Sequence, residues 1–143
     1  MRCIIVSVAL LDINKHMAKT LAMVFGIVFL LVGVLGFVTS GPLLGLFLTD
    51  GVHDAIHLLV GIVLVAVAAK NGNSAGALKV FGAIYLLLAV VGFYQFGTNG
   101  SGMLLGIAAA NGADNFLHLV LGIVLLVAAK SSGSTSAAPM QTM

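Results

Sequence analysis

Charge is what this sequence has least of. Charged residues make up 7% of the 143 positions and hydrophobic residues 61%, whereas an ordinary soluble domain is roughly a quarter charged. So few charges cannot clothe a water-facing globule, and the chain reads as a single-domain integral membrane protein whose first partner is the lipid bilayer. Cysteine is nearly missing too. Cys3 alone excludes an internal disulfide and any Cys-x-x-Cys redox or zinc site, and it leaves the redox compartment open. The six Lys and Arg residues are scattered, with no basic cluster and no interleaved aromatics, so nucleic acid is excluded as a partner. No nucleophile elbow or Ser-His-Asp pattern supports hydrolysis. The glycine-rich stretch 97–102 lacks the Lys-Ser/Thr of a phosphate-cradling loop and reads as a linker.

What is present is long apolar sequence. The run from Cys3 to Leu11 is about half of what a spanning helix needs, and Asp12, Asn14, Lys15 and His16 follow where a signal peptide would be cut. Residues 1–16 therefore read as a loose tail or an upstream mis-start before Met17. Residues 21–38 carry no charge and are long enough to cross about 30 Å of hydrocarbon. Gly41 and Pro42 end that span, and 43–48 reads as a short interfacial segment. Asp50 is the expected N-cap of a second span running to Ala69. A turn at 71–74 leads to a third span, about 80–96, with Tyr85 and Tyr94 lending interfacial aromatic character. Residues 103–110 repeat the interfacial segment, Asn111 repeats the cap, and a fourth span covers 113–129. The tail 131–143 is small, polar and aperiodic, and is expected to be disordered.

Two offsets relate the halves. Phe25-Gly-Ile-Val-Phe-Leu-Leu-Val-Gly-Val-Leu-Gly-Phe37 aligns with Phe81-Gly-Ala-Ile-Tyr-Leu-Leu-Leu-Ala-Val-Val-Gly-Phe93, fifty-six positions on. His57-Leu-Leu-Val-Gly-Ile-Val-Leu64 aligns with His118-Leu-Val-Leu-Gly-Ile-Val-Leu125, sixty-one positions on. The expected fold is an all-α, four-span bundle formed by tandem duplication of a two-helix unit, with repeat 1 at about 19–70 and repeat 2 at about 79–130. Both units then enter the membrane in the same sense, so a pseudo-twofold axis would run along the membrane normal. Small residues at Gly26, Gly33 and Gly36, matched by Gly82, Ala89 and Gly92, give the first and third spans smooth faces for close packing. Lys15, Lys19, Lys70, Lys79 and Lys130 fall at one side of this topology, which places both termini in the cytoplasm. Asp50, His53, Asp54 and Asp114 fall at the opposite, outer side.

The chemistry-bearing residues lie in two stretches, Asp50-Gly-Val-His53-Asp54-Ala-Ile-His57 and Asn111-Gly-Ala-Asp114-Asn115-Phe-Leu-His118. Helical offsets of three, four and seven put Asp50, His53, Asp54 and His57 on one face, and Asn111, Asp114, Asn115 and His118 on another. His57 and His118 would sit about 10 Å below the caps and close to each other. His53 and Asp114, one turn shallower, would be wet. The plain reading has each deep histidine bonding a carbonyl or an Asn/Asp side chain of a neighbouring helix, with the acids favoured by helix N-termini. The sharper reading is a transition-metal site from His53, His57, His118 and Asp114, or haem held by His57 and His118. A proton relay is a third class, although the cytoplasmic halves of the spans offer no polar residue to continue one.

The pattern Gly45-Leu-Phe-x-x-Asp50-Gly-x-His53-Asp54-x-x-His57-Leu-x-x-Gly61, followed by Asn111-x-Ala-Asp114-Asn115-x-Leu-His118-Leu-x-x-Gly122, resembles the small bacterial membrane proteins grouped as domain of unknown function 4383. The likeness covers about 19–130. Asp50 and Asp54 stand where that family tends to show Asn. The resemblance implies a four-helix protein of a bacterial plasma membrane, and it supplies no activity, cofactor or partner. The expectation is a non-enzymatic accessory or structural protein with no resident cofactor, open to a membrane-protein partner or self-association. The alternatives are a metal- or haem-binding module and a proton relay.

Overall fold

A computed structural model describes residues 2–39 and 41–131, with side chains from residue 13 to residue 130. Four helices form the body: α1 (Arg2–Val38), α2 (Gly51–Ala69), α3 (Ser74–Phe96) and α4 (Gly112–Ser131). Each contains a stretch long and apolar enough to cross a membrane, Ile13–Val38, Gly51–Ala69, Ser74–Phe96 and Gly112–Lys130. This is a multi-pass membrane protein. Large apolar side chains such as Leu31, Leu59, Leu87 and Val127 face outward, as lipid requires.

Local signals set most of the boundaries. Asp50 caps α2, its carboxylate accepting the His53 N–H at 2.8 Å, and α2 stops at Lys70. Asn111 caps α4 in the same way, accepting the Asp114 N–H at 3.0 Å. Two boundaries differ from expectation. The third helix starts at Ser74 rather than near Val80, because Asn73 accepts the Gly76 N–H and supplies a cap one and a half turns earlier. The first helix runs unbroken from Arg2, so the segment read as a loose tail continues α1. Of the tail read as disordered, 131–143, Ser131 is the last residue of α4 and 132–143 lies outside the described residues.

Helix α1 packs along α2, and α3 along α4. Glycine lets the backbones meet: a Cβ on Gly61 would lie 2.8 Å from the Gly26 carbonyl oxygen, and one on Gly122 would lie 2.8 Å from the Leu86 nitrogen. Positions matched by the sequence offsets pack alike. Gly36 lies flat against the Asp54 carboxylate and Gly92 against the Asn115 amide, with no room for a methyl group in either place. The buried centre is formed by Phe29, Leu64, Ala68, Leu78, Tyr85 and Leu125.

The expected interfacial segments turn out to be β-structure. Strands β1 (Ser101–Leu104) and β2 (Ala108–Asn111) pair antiparallel, with Leu104 opposite Ala108, and the matched segment forms a single bridge between Leu43 and Phe47. The stretch read as a linker, 97–102, thus leads directly into β1. Both turns carry Leu-Gly in the left-handed region, Leu44 and Gly45 at φ 54 and 73 and Leu105 and Gly106 at φ 53 and 71. Two successive positive φ values make the type I′ turn that matches strand twist.

Candidate functional site

An acid from each motif does more than serve its own helix. Asp50 Oδ2 also accepts the Ala109 N–H at 3.1 Å, and Asp114 Oδ2 accepts the Leu48 N–H at 3.1 Å. Leu48 and Ala109 are matched positions, so each half's motif grips the other half's loop. Asn111 Nδ2 adds a bond of 2.8 Å to the Leu46 carbonyl. The His53 backbone N–H, followed by that of Ala109, holds the Asp50 carboxyl below its ordinary range.

These crossings lay β2 over the N-terminus of α2. Ala109 presents both its N–H and its carbonyl to α2, the first to Asp50 and the second to His53 Nδ1 at 2.6 Å. A carbonyl oxygen only accepts, so His53 carries its proton on Nδ1 and its Nε2 lone pair is free. This cover also corrects the expectation of a wet His53, which is 5% exposed. Asp114 is buried for a parallel reason, its carboxylate turned to the N–H groups of Leu48 and Asn111.

His53, His57 and His118 come together. One nitrogen from each lies within 4.8 Å of the other two, and this is the candidate metal-binding group among the described residues. Zinc ligands sit about 2.0–2.1 Å from the ion, so the three nitrogens must draw in from as much as 4.8 Å apart to hold one. Asp114 does not join the group. His57 and His118 do approach as expected, and Nδ1 of each is buried with no hydrogen-bond partner. The rings of His53 and His57 lie 4.7 Å apart and those of His53 and His118 5.9 Å apart. Asp54 and Asn115 lie in the α1–α2 and α3–α4 contacts instead, where Asn115 Nδ2 donates to the Gly97 carbonyl at 3.2 Å and Asp54 Oδ1 has no partner.

The three rings line a chamber of about 100 Å³ with Ile56, Tyr85, Leu88, Leu104 and Ile107 among its other walls. Tyr85 was expected at a membrane interface, yet it is 3% exposed, stacked on Phe29 at 5.3 Å and tilted against His118 at 5.2 Å. Its membership of this wall was missed. The available signal was that Tyr85 aligns with Phe29 on the face of α1 and α3 that carries the matched glycines.

A polytopic four-helix membrane protein with a histidine-lined chamber beneath one end is the class that fold and site define. Within it, the chain belongs to the family described as Domain of unknown function (DUF4383), whose model matches residues 19–131. No curated protein and no solved structure matches it.

Proposed function

We propose that this protein is a transition-metal-binding module of a bacterial plasma membrane, with His53, His57 and His118 as the ligands. The observation that carries the reading is the meeting of three imidazoles in one buried chamber, two of them with an unpartnered Nδ1. Imidazole suits zinc, copper, nickel and iron. Such a site needs a ligand ring fixed by a hydrogen bond from its other nitrogen, and the Ala109 carbonyl meets that need at His53. The helix-register reading fits less well, because the two deep rings lack the neighbouring acceptors it calls for. A chamber of about 100 Å³ suits an ion with a small ligand better than a porphyrin. A proton relay finds no continuation, since Leu64, Ala68, Leu78 and Leu125 fill the bundle centre.

The matched packing of Gly36 on Asp54 and Gly92 on Asn115 supports an origin by tandem duplication, with a pseudo-twofold axis along the membrane normal. The lysines at one end support cytoplasmic termini and a chamber near the outer face. The test is the metal content of detergent-purified protein after zinc, cobalt, nickel, copper and iron are each offered. One ion per chain, lost in the His57→Ala/His118→Ala double variant, is expected. Metal-free protein under every condition would overturn the reading.

A further inference from the structure

Tyr85 is the only polar side chain besides the imidazoles among the residues lining the chamber. Its hydroxyl is buried and has no hydrogen-bond partner, a state that costs roughly 1–3 kcal/mol unless something fills it. Packing does not ask for that oxygen. The matched residue in the first half is Phe29, whose bare ring stacks on Tyr85 and sits 5.7 Å from His57, much as Tyr85 sits 5.2 Å from His118. His53 is likewise a departure from the internal pattern, since the matched residue is Asp114. The halves therefore differ at two positions whose extra polar atoms converge on one chamber, one a metal ligand and the other a phenol.

The three ligands are neutral, so a divalent ion brings its whole charge into a chamber whose remaining walls are apolar. None of the nearby carboxylates lines the chamber: Asp50 and Asp114 face backbone N–H groups, and Asp54, next to His53 in sequence, turns toward Gly36 in the α1–α2 contact. Uncompensated charge in low dielectric is costly. An anion entering as the fourth ligand removes that cost, and a phenol hydroxyl is a donor that stabilises it there. We infer that the site takes a small inorganic anion, bound to the metal and hydrogen-bonded by the Tyr85 hydroxyl. The inference rests on the metal reading above. The space beside the rings is small, about 100 Å³, which suits an anion of a few atoms.

The experiment uses the full chain in detergent, loaded with cobalt(II), titrated with sodium azide and followed by the visible d–d bands. Azide is expected to shift the bands saturably, and Tyr85→Phe to weaken azide about tenfold or more, the worth of one hydrogen bond to a charged group, with cobalt affinity unchanged. Phe is the residue the first half carries at this position, and an unchanged helical circular dichroism spectrum checks that the variant is folded. Cobalt bound with bands indifferent to azide, or equal azide affinity in both proteins, would overturn this inference and leave the metal site standing. A phenolate charge-transfer band in the copper(II) protein, absent from Tyr85→Phe, would overturn it by making Tyr85 a direct ligand. Failure of the wild-type protein to take up cobalt or any of the other four ions would remove the metal reading and this inference together.

Discussion

The imidazole of His53, in the second helix, donates its Nδ1 proton to the carbonyl oxygen of Ala109, in the hairpin strand fifty-six residues on, across 2.6 Å. That bond does two things at once. It fixes the free lone pair on Nε2, and it ties the hairpin over the chamber.

His53→Ala should therefore lose more than a ligand. The Ala109 carbonyl would be left without its partner, at roughly 1–3 kcal/mol, and bound metal should fall below one ion per chain. Thermal unfolding in detergent and metal analysis check the two effects separately. In metal-free protein, ¹⁵N shifts should show His53 protonated on Nδ1; a ring protonated only on Nε2 would contradict the assignment.

Asp54 and Asn115 occupy matched places, but only the amide can donate. Asn115 Nδ2 reaches the Gly97 carbonyl, while Oδ1 of both residues is buried with no partner. Asp54→Asn replaces a buried carboxylate with the group the other half already uses, and it should raise stability by about 1 kcal/mol. A lowered unfolding midpoint would refute this ranking of amide over carboxylate.

The helix contacts predict a contrast between two glycines of α2. At Gly61 a new Cβ would meet the Gly26 carbonyl and the Leu30 backbone, both at 2.8 Å, while at Gly51 the nearest atom is a Phe37 ring carbon at 3.7 Å. Gly61→Ala should destabilise by about 1–3 kcal/mol through overpacking. Gly51→Ala should change stability by no more than about 0.5 kcal/mol. Equal effects in a denaturation series would refute the close α1–α2 contact.

Asp50 gives a pH dependence of known sign. Its carboxyl is held below the ordinary value by the His53 N–H and then by the Ala109 N–H, so its charged form favours the folded state. Its contribution is fully present above the unfolded carboxylate range, about pH 4, and is lost as pH falls through the lower folded value. Asp50→Asn should flatten that limb of the stability curve. A limb of unchanged slope in the variant would assign the acid sensitivity elsewhere.

The sequence by itself determined the four apolar spans and the caps at Asp50 and Asn111, because hydropathy and capping act within one helix. The early start of α3 was also legible at Asn73, a capping residue read only as part of a turn. The hairpin was harder to see, since its type I′ turns use Leu-Gly where Asn-Gly is the familiar signal. Only the tertiary structure decided which polar residues share a chamber. Burial of His53 comes from a strand laid over it, and the placing of Asp114 outside the group comes from Leu48 in the other half. Tyr85 faces inward because α1 and α3 pack ring on ring at Phe29. Each of these contacts joins residues more than fifty positions apart, where the local pattern of a helix carries no information about what the other half will bring.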